Sequence, residues 1–210
     1  MTANMEALYL PENRFKVPDA ETAREIILTG WEGMSSERRW EIETPWLQRV
    51  IRSVFPEPGR YLDWGCGIGR ATRGLGVTWI GVDSSEEMLR LAAEQPGGGG
   101  QTWLTPDQFA ARGCEGYCLD GAIAIYSLQH IPDLGAALSS IHKSLKLGAL
   151  FLVLNGHDRM LPDKDGGWWS DGLDVHAEII GTGFEEVGSI PLNDFPVVRD
   201  HHFCRVYRKT

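Results

Sequence analysis

From Tyr61 onward, short apolar runs alternate with stretches whose apolar residues recur every three or four positions, the pattern of strands followed by amphipathic helices. The first strand lies around Tyr61 and Leu62 and runs into a glycine turn. The second is TWIGVD, Thr78 to Asp83, and the interval leaves a helix of only about two turns, Arg70 to roughly Leu75. In SSEEMLRLAAEQP, Ser84 and Glu87 stand at capping-box spacing while Met88, Leu91 and Ala92 share a face. A helix is therefore expected to end at Gln95, before Pro96. A third strand is expected near Thr102 to Leu104, then a short helix from Asp107 through Ala111. GAIAIYS is apolar without alternation, as in a strand covered on both faces. PDLGAALSSIHKSLKLG places Leu134, Leu138, Ile141 and Leu145 on one helical face, with Asp133 as N-cap, Lys143 and Lys146 in the last turn and Gly148 beyond it. Ala149 to Asn155 is the fifth strand.

The pattern loosens towards both ends. Gly156 to Gly172 reads as a polar loop bearing adjacent Trp168 and Trp169. LDVHAEIIG is a short helix leading to a turn at Gly183 and Phe184, a strand near Glu186 to Ile190 and a last strand, FCRVYRK. These two strands read as an antiparallel pair at the sheet edge, joined by a loop with Pro191 and Pro196. Upstream, residues 1–58 read as two helical pieces, the second starting at Thr44 with Pro45 in the first helical position, and form a cap on a core of residues 59–210. Gly97 to Gly100 is a loop, and no internal repeat is found. Alternation of this kind points to an α/β fold with a parallel sheet.

Composition narrows the class. With 210 residues, 42% hydrophobic and 23% charged, the chain can bury a full core in one domain. No apolar run approaches the ~20 residues that span a bilayer. MTANMEALYLPENRFK lacks the basic start and apolar core of a secretion signal, so a cytoplasmic protein without a membrane partner is expected. Four cysteines are too few and too irregular for a disulfide framework, and Cys114 and Cys118 lack a second ligand pair at zinc spacing, so no metal is expected. A formal charge of -9 disfavours a nucleic-acid partner, whose affinity comes mainly from clustered Lys and Arg.

The chemistry is concentrated in YLDWGCGIGR, Tyr61 to Arg70. A dinucleotide turn reads G-x-G-x-x-G; here Gly65, Gly67 and Gly69 alternate, and Arg70 stands where the third glycine of that pattern belongs. Asp63 would face a pyrophosphate with like charge, which disfavours nicotinamide-dependent oxidoreduction. The turn suits a ligand that brings a cation, such as the amino-acid arm of S-adenosylmethionine. Glycines let such an arm lie against backbone N–H groups, and the N-terminus of the following helix would favour its carboxylate.

In D-W-G-C-G-I-G the sequence resembles the class I S-adenosylmethionine-dependent methyltransferases, small-molecule branch, from about Tyr61 to Gly156. The resemblance implies a Rossmann-like, doubly wound, mostly parallel sheet, which with the edge pair read above makes seven strands with an antiparallel edge hairpin; the N-terminal helical cap is added from the helical pattern upstream, outside the resemblance. It implies that Asp63 lies beside the methionine ammonium and that Gly65 and Gly67 lie under the methionine and ribose. Asp83, followed by Ser84 at the end of the second strand, would hold the ribose hydroxyls, a carboxylate being able to accept from both at once. TPDQF makes Asp107, with its neighbour Gln108, the candidate for the adenine contact, although the glycine and alanine of the family's turn are missing. DGAIAIYSLQHIPDL puts Ile125 and Tyr126 near the transferable methyl.

His130 is a candidate general base because imidazole titrates near neutral pH, and it equally reads as part of a strand-end packing cluster with Leu128 and Ile131. His157 is a second candidate base. Trp168 and Trp169 read either as an aromatic wall for the acceptor or as loop anchors. Trp31, Trp40 and Trp46 read as core anchors of the cap, Glu37, Glu41 and Glu43 as a solvated helix face, and His201 and His202 as pointing opposite ways. The expected reaction moves a methyl group from S-adenosylmethionine to oxygen or nitrogen of a small or medium-sized acceptor, leaving S-adenosylhomocysteine. The competing functions are a protein or nucleic-acid methyltransferase and a donor-binding regulator without turnover, the last predicting no open volume beside Tyr126. The oligomeric state, monomer or homodimer, is left open by the sequence.

Overall fold

A computed structural model of the chain describes residues 19–27, 34–56, 58–95, 101–112, 116–162, 168–193, 195 and 201–210, of which 25–27 and 162 by backbone only. Trp31, Pro96, the Gly97 to Gly100 loop, Cys114 and Pro196 lie outside the described residues. The elements in chain order are α1 (Ala20–Ile27), α2 (Ser36–Val54), β1 (Arg60–Trp64), β2 (Thr78–Val82), α3 (Glu86–Glu94), β3 (Thr102–Leu104), α4 (Pro106–Ala111), β4 (Leu119–Ile125), α5 (Leu134–Ser144), β5 (Leu145–Gly156), β6 (Asp158–Pro162), β7 (Trp168–Asp174), α6 (Val175–Gly181), β8 (Phe184–Ser189) and β9 (His202–Lys209).

The strands β3-β2-β1-β4-β5-β9-β8 form one seven-stranded sheet. The first five are parallel, while β9 runs antiparallel to both β5 and β8, which gives the expected edge hairpin. Strand order reverses between β1 and β4, and in such sheets the crevice beyond the strands' carboxyl ends at that point is where ligands bind.

Alternation along the strands divides the core into two layers. Leu62 and Trp64 of β1 and Ala122 and Ala124 of β4 face Leu134, Leu138 and Ile141 of α5 and Val175 and Ile179 of α6. Tyr61 and Ile123 face the other way, onto Trp46, Leu47 and Ile51 of α2. Each fully buried side chain of this size contributes about 1.5–3 kcal/mol.

Five local expectations are corrected. The predicted helix from Arg70 to Leu75 is a series of turns, held by Gly69 N to Cys66 O at 2.9 Å and Leu75 N to Thr72 O at 3.3 Å. Gly69, Gly74 and Gly76 all have φ above +70°, which no α-helix can accommodate. The second cap helix begins at Ser36, with Ser35 capping Arg38 N, so Pro45 lies in its interior. That helix packs on the same sheet face as Ala71 and Leu75 of the turns. The expected loop from Gly156 to Gly172 contains an antiparallel pair, β6 and β7, with Met160 opposite Ser170 and Leu161 opposite Trp169. Finally, the N-cap of α3 is Ser85, one residue beyond Ser84, and Lys146 lies in β5 rather than the last turn of α5, where it pairs with Asp120 at 2.5 Å.

Candidate functional site

Asp63 sits near the carboxyl end of β1 on the face that looks towards α2. It is 2% exposed, and one oxygen accepts a hydrogen bond from the Thr72 hydroxyl at 3.1 Å. Burial raises its pKa to about 7, against the pull of Thr72 and with a smaller push from Asp83, while Arg70 draws it down slightly. Among the described residues Asp63 makes no ion pair, and a carboxylate so buried gains from an incoming cation.

The glycine turn then brings two strand ends together. Gly65 N and Cys66 N both donate to Val82 O, at 2.7 and 3.0 Å. Gly65 has φ +74°, and a Cβ there would stand 2.1 Å from Ser127 Cβ. Only glycine allows this approach, across which Ser127 Oγ donates to Trp64 O at 2.7 Å.

Asp83 follows β2. Its two oxygens accept from Gly67 N at 2.8 Å and Ser85 N at 3.0 Å. Burial raises its pKa, opposed by those backbone bonds. A carboxylate has about four acceptor positions, so two remain for a pair of hydroxyls.

These residues border a cavity of about 1250 Å³ over the strand switch. Asp63, Gly65, Gly67, Asp83, Ser84, Asp107, Ile125, Tyr126, His130 and His157 all line it. Gln108 does not: its side-chain oxygen accepts from Thr105 N at 3.0 Å, closing the capping box of α4. Tyr126 adopts φ +53°, a conformation that costs a non-glycine residue about 1–3 kcal/mol, as is often found at functional sites. Its ring lies 5.2 Å from that of His202, and burial pushes its phenol pKa well above the usual value.

The two candidate bases differ in freedom. His130 Nδ1 lies 2.7 Å from Met160 O and its Nε2 lies 2.9 Å from Gln129 Nε2. Gln129 Oε1 accepts from Gly156 N at 2.5 Å, so the amide nitrogen is the donor to His130 Nε2, and Nδ1 carries the proton given to Met160 O. Both ring nitrogens are therefore engaged, Nδ1 with β6 of the hairpin and Nε2 with Gln129, which is tied to the end of β5. The His157 ring rests 5.2 Å from Phe203 and makes no hydrogen bond among the described residues. Trp168, 41% exposed at the rim, packs 4.5 Å from the His130 ring.

Two readings of single residues are overturned. Glu43 is no surface carboxylate but 0% exposed: Oε1 accepts from Arg39 Nε at 2.9 Å and Nη2 at 2.7 Å, and Oε2 accepts from Arg70 Nη1 at 3.1 Å. Arg39 and Arg70 both line the cavity. The sequence signal for this cluster was the i,i+4 spacing of Arg39 and Glu43. His201 and His202 do not point apart, since His201 precedes β9 and the two rings lie 4.5 Å from each other. Among the described residues no group of three His, Cys, Asp or Glu is placed to hold a metal, and no helix is long and apolar enough to cross a membrane.

Residues 37–184 match a family model described as a methyltransferase domain. The chain is 30% identical over 146 residues, 66% of its length, to "Methyltransferase phqN" of Penicillium fellutanum. It is 36% identical over 124 residues, 56% of its length, to "18S rRNA (guanine-N(7))-methyltransferase RID2" of Arabidopsis thaliana. It spans 42% of the length of each of these relatives. The solved structure of the glycopeptide N-methyltransferase MtfA complexed with S-adenosyl-L-homocysteine superposes with a TM-score of 0.60 at 16% identity, covering 80% of this chain and 90% of that one.

Proposed function

The chain belongs to the class I S-adenosylmethionine-dependent methyltransferases, and on that premise we propose that it methylates oxygen or nitrogen of a small or medium-sized acceptor. The observation that carries this reading is the extent of the cavity. Its volume of about 1250 Å³ runs from the glycine turn past Tyr126 to His157 and Trp168. Sites for one drug-sized ligand measure about 300–1,000 Å³, so donor and acceptor both have room. A binding partner without turnover would not need the open volume beside Tyr126.

The residues fit the donor. Asp63, buried and in no ion pair among the described residues, takes the ammonium; Asp83 takes the ribose hydroxyls with Ser84 at the rim; Gly65 and Gly67 admit the arm and ribose to the backbone. Asp107 remains the adenine contact, and Gln108 leaves the set because its side chain caps α4. S-adenosylmethionine supplies a methyl group on a sulfonium, open to in-line displacement. What the chain contributes is mainly orientation, which can supply about 7–11 kcal/mol. Ile125 and Tyr126 shape the wall beside the transfer point, His157 is the imidazole available to take a proton from the acceptor, and His130 positions the hairpin and Trp168. Residues 1–58 act as the cap and 59–210 as the catalytic core.

The name of the Arabidopsis relative supports a second reading, a nucleic-acid acceptor, against which the formal charge of -9 stands. Incubation with methyl-labelled S-adenosylmethionine and either a metabolite extract or total RNA separates the two. Label in the small-molecule fraction supports the proposal; label confined to RNA, or no transfer to either, contradicts it.

A further inference from the structure

Beyond the glycine turn the cavity is bordered by rings that come from separate elements. One group forms where β4, β5 and β9 end together: Tyr126 N donates to Leu154 O at 2.7 Å, Gly156 is registered with His202, and His157 N donates to His201 O at 2.9 Å. These main-chain pairings gather the rings of Tyr126, His157, His201 and His202 at one corner. Tyr126 lies 5.2 Å from His202 at a steep angle, and His202 lies 4.5 Å from His201. A second group comes with the β6–β7 hairpin, which brings Met160 and Trp168 to the same cavity, the indole packed 4.5 Å from the His130 ring at 35°.

The two groups are fixed relative to each other. Gln129 joins them, its Oε1 accepting from Gly156 N at 2.5 Å and its Nε2 donating to His130 Nε2 at 2.9 Å. Arg159 fastens the hairpin, bonded to Asp171 on the neighbouring strand and to Pro132 O. Flat faces held in place before a ligand arrives favour a flat ligand, because ring pairs attract beyond the area they bury and cost no ordering of the walls. Methionine sulfur beside them also favours an aromatic ring.

Charge narrows the class further. Among the described residues at this end of the cavity, the carboxylates are Asp133 and Asp158, while Arg39 and Arg70 lie with Glu43 beside the glycine turn. A carboxylate or phosphate on the acceptor would meet like charge.

We infer that the acceptor is a flat aromatic compound without a carboxylate or phosphate, seated between the Trp168 hairpin and the Tyr126 corner, with its reacting hydroxyl or N–H turned to His157. The inference rests on the small-molecule reading above and adds to it the substrate class.

Calorimetry at saturating S-adenosylhomocysteine tests it without turnover, using three probes of similar size: naphthol, its fully saturated counterpart, and hydroxynaphthoate. The native protein is expected to bind naphthol at least about 10-fold more tightly than either of the others. Trp168→Ala is expected to lose about 10-fold for naphthol and little for the saturated alcohol, and Trp168→Phe to recover most of that loss, with both variants binding S-adenosylhomocysteine as the native protein does. Equal or reversed preference, no binding of naphthol, or a Trp168→Ala loss equal for both alcohols overturns the inference. The small-molecule reading stands in each of those cases if methyl label still enters the small-molecule fraction of a metabolite extract, and it falls together with this inference if label does not.

Discussion

Glu43 of α2 and Arg70 of the glycine turn meet at 3.1 Å with side chains 0% and 6% exposed, a buried ion pair that ties the cap to the wall of the cofactor cavity. Removing one partner of a buried pair leaves the other charge uncompensated and costs about 3–5 kcal/mol. Glu43→Ala removes the carboxylate that Arg39 and Arg70 share. Urea denaturation is expected to show a loss of about that size, whereas Glu41→Ala, on the exposed face of the same helix, should change stability by less than about 0.5 kcal/mol.

The carboxyl of Asp63, raised from 3.8 to about 7 by burial, makes donor affinity and stability respond to pH in opposite directions. The ammonium needs the ionised form, so affinity for S-adenosylhomocysteine should fall as pH drops through about 7, by up to roughly tenfold between pH 8 and pH 6. For the free protein, a carboxyl whose folded pKa lies above its unfolded value favours the fold most when protonated. That contribution is complete below about 4 and is lost as pH rises through about 7. Asp63→Asn should therefore melt at a higher temperature than the native protein at pH 8, yet bind the ligand more weakly and without the pH slope. Calorimetry and thermal melts on the same samples check both signs.

His130 and His157 should separate kinetically. If His157 removes a proton from the acceptor, His157→Asn lowers kcat by about 10²–10⁴ with KM little changed. His130→Asn disturbs the contact with Met160 and the packing of Trp168, so its expected signature is a raised KM and a lower melting temperature, with the pH profile retained.

The parallel strands and the carboxylates at their ends could be read from the chain because their signals are local: apolar runs, caps, and glycines directly following Asp63. The helix expected after Arg70 failed because Gly69, Gly74 and Gly76 take positive φ, which the spacing of apolar residues does not register. Glu43 was misread because its partners come from two places, Arg39 one turn away and Arg70 from another element, and only folding brings the second to it. His130 has the same character. Its ring is held by Gln129 beside it and by Met160 thirty residues on, so its role depended on a hairpin that the polar, glycine-bearing sequence concealed.

The central claim, that the glycine turn and the carboxylate after β2 hold S-adenosylmethionine, is tested most directly by titrating S-adenosylhomocysteine into the native protein and into Asp83→Ala, with Asp83→Asn as the variant that keeps an acceptor for Gly67 N. The native protein is expected to bind, and both variants to bind about 10- to 100-fold more weakly while remaining folded by circular dichroism. Absence of binding to the native protein, or equal affinity for folded Asp83→Ala, would contradict the account.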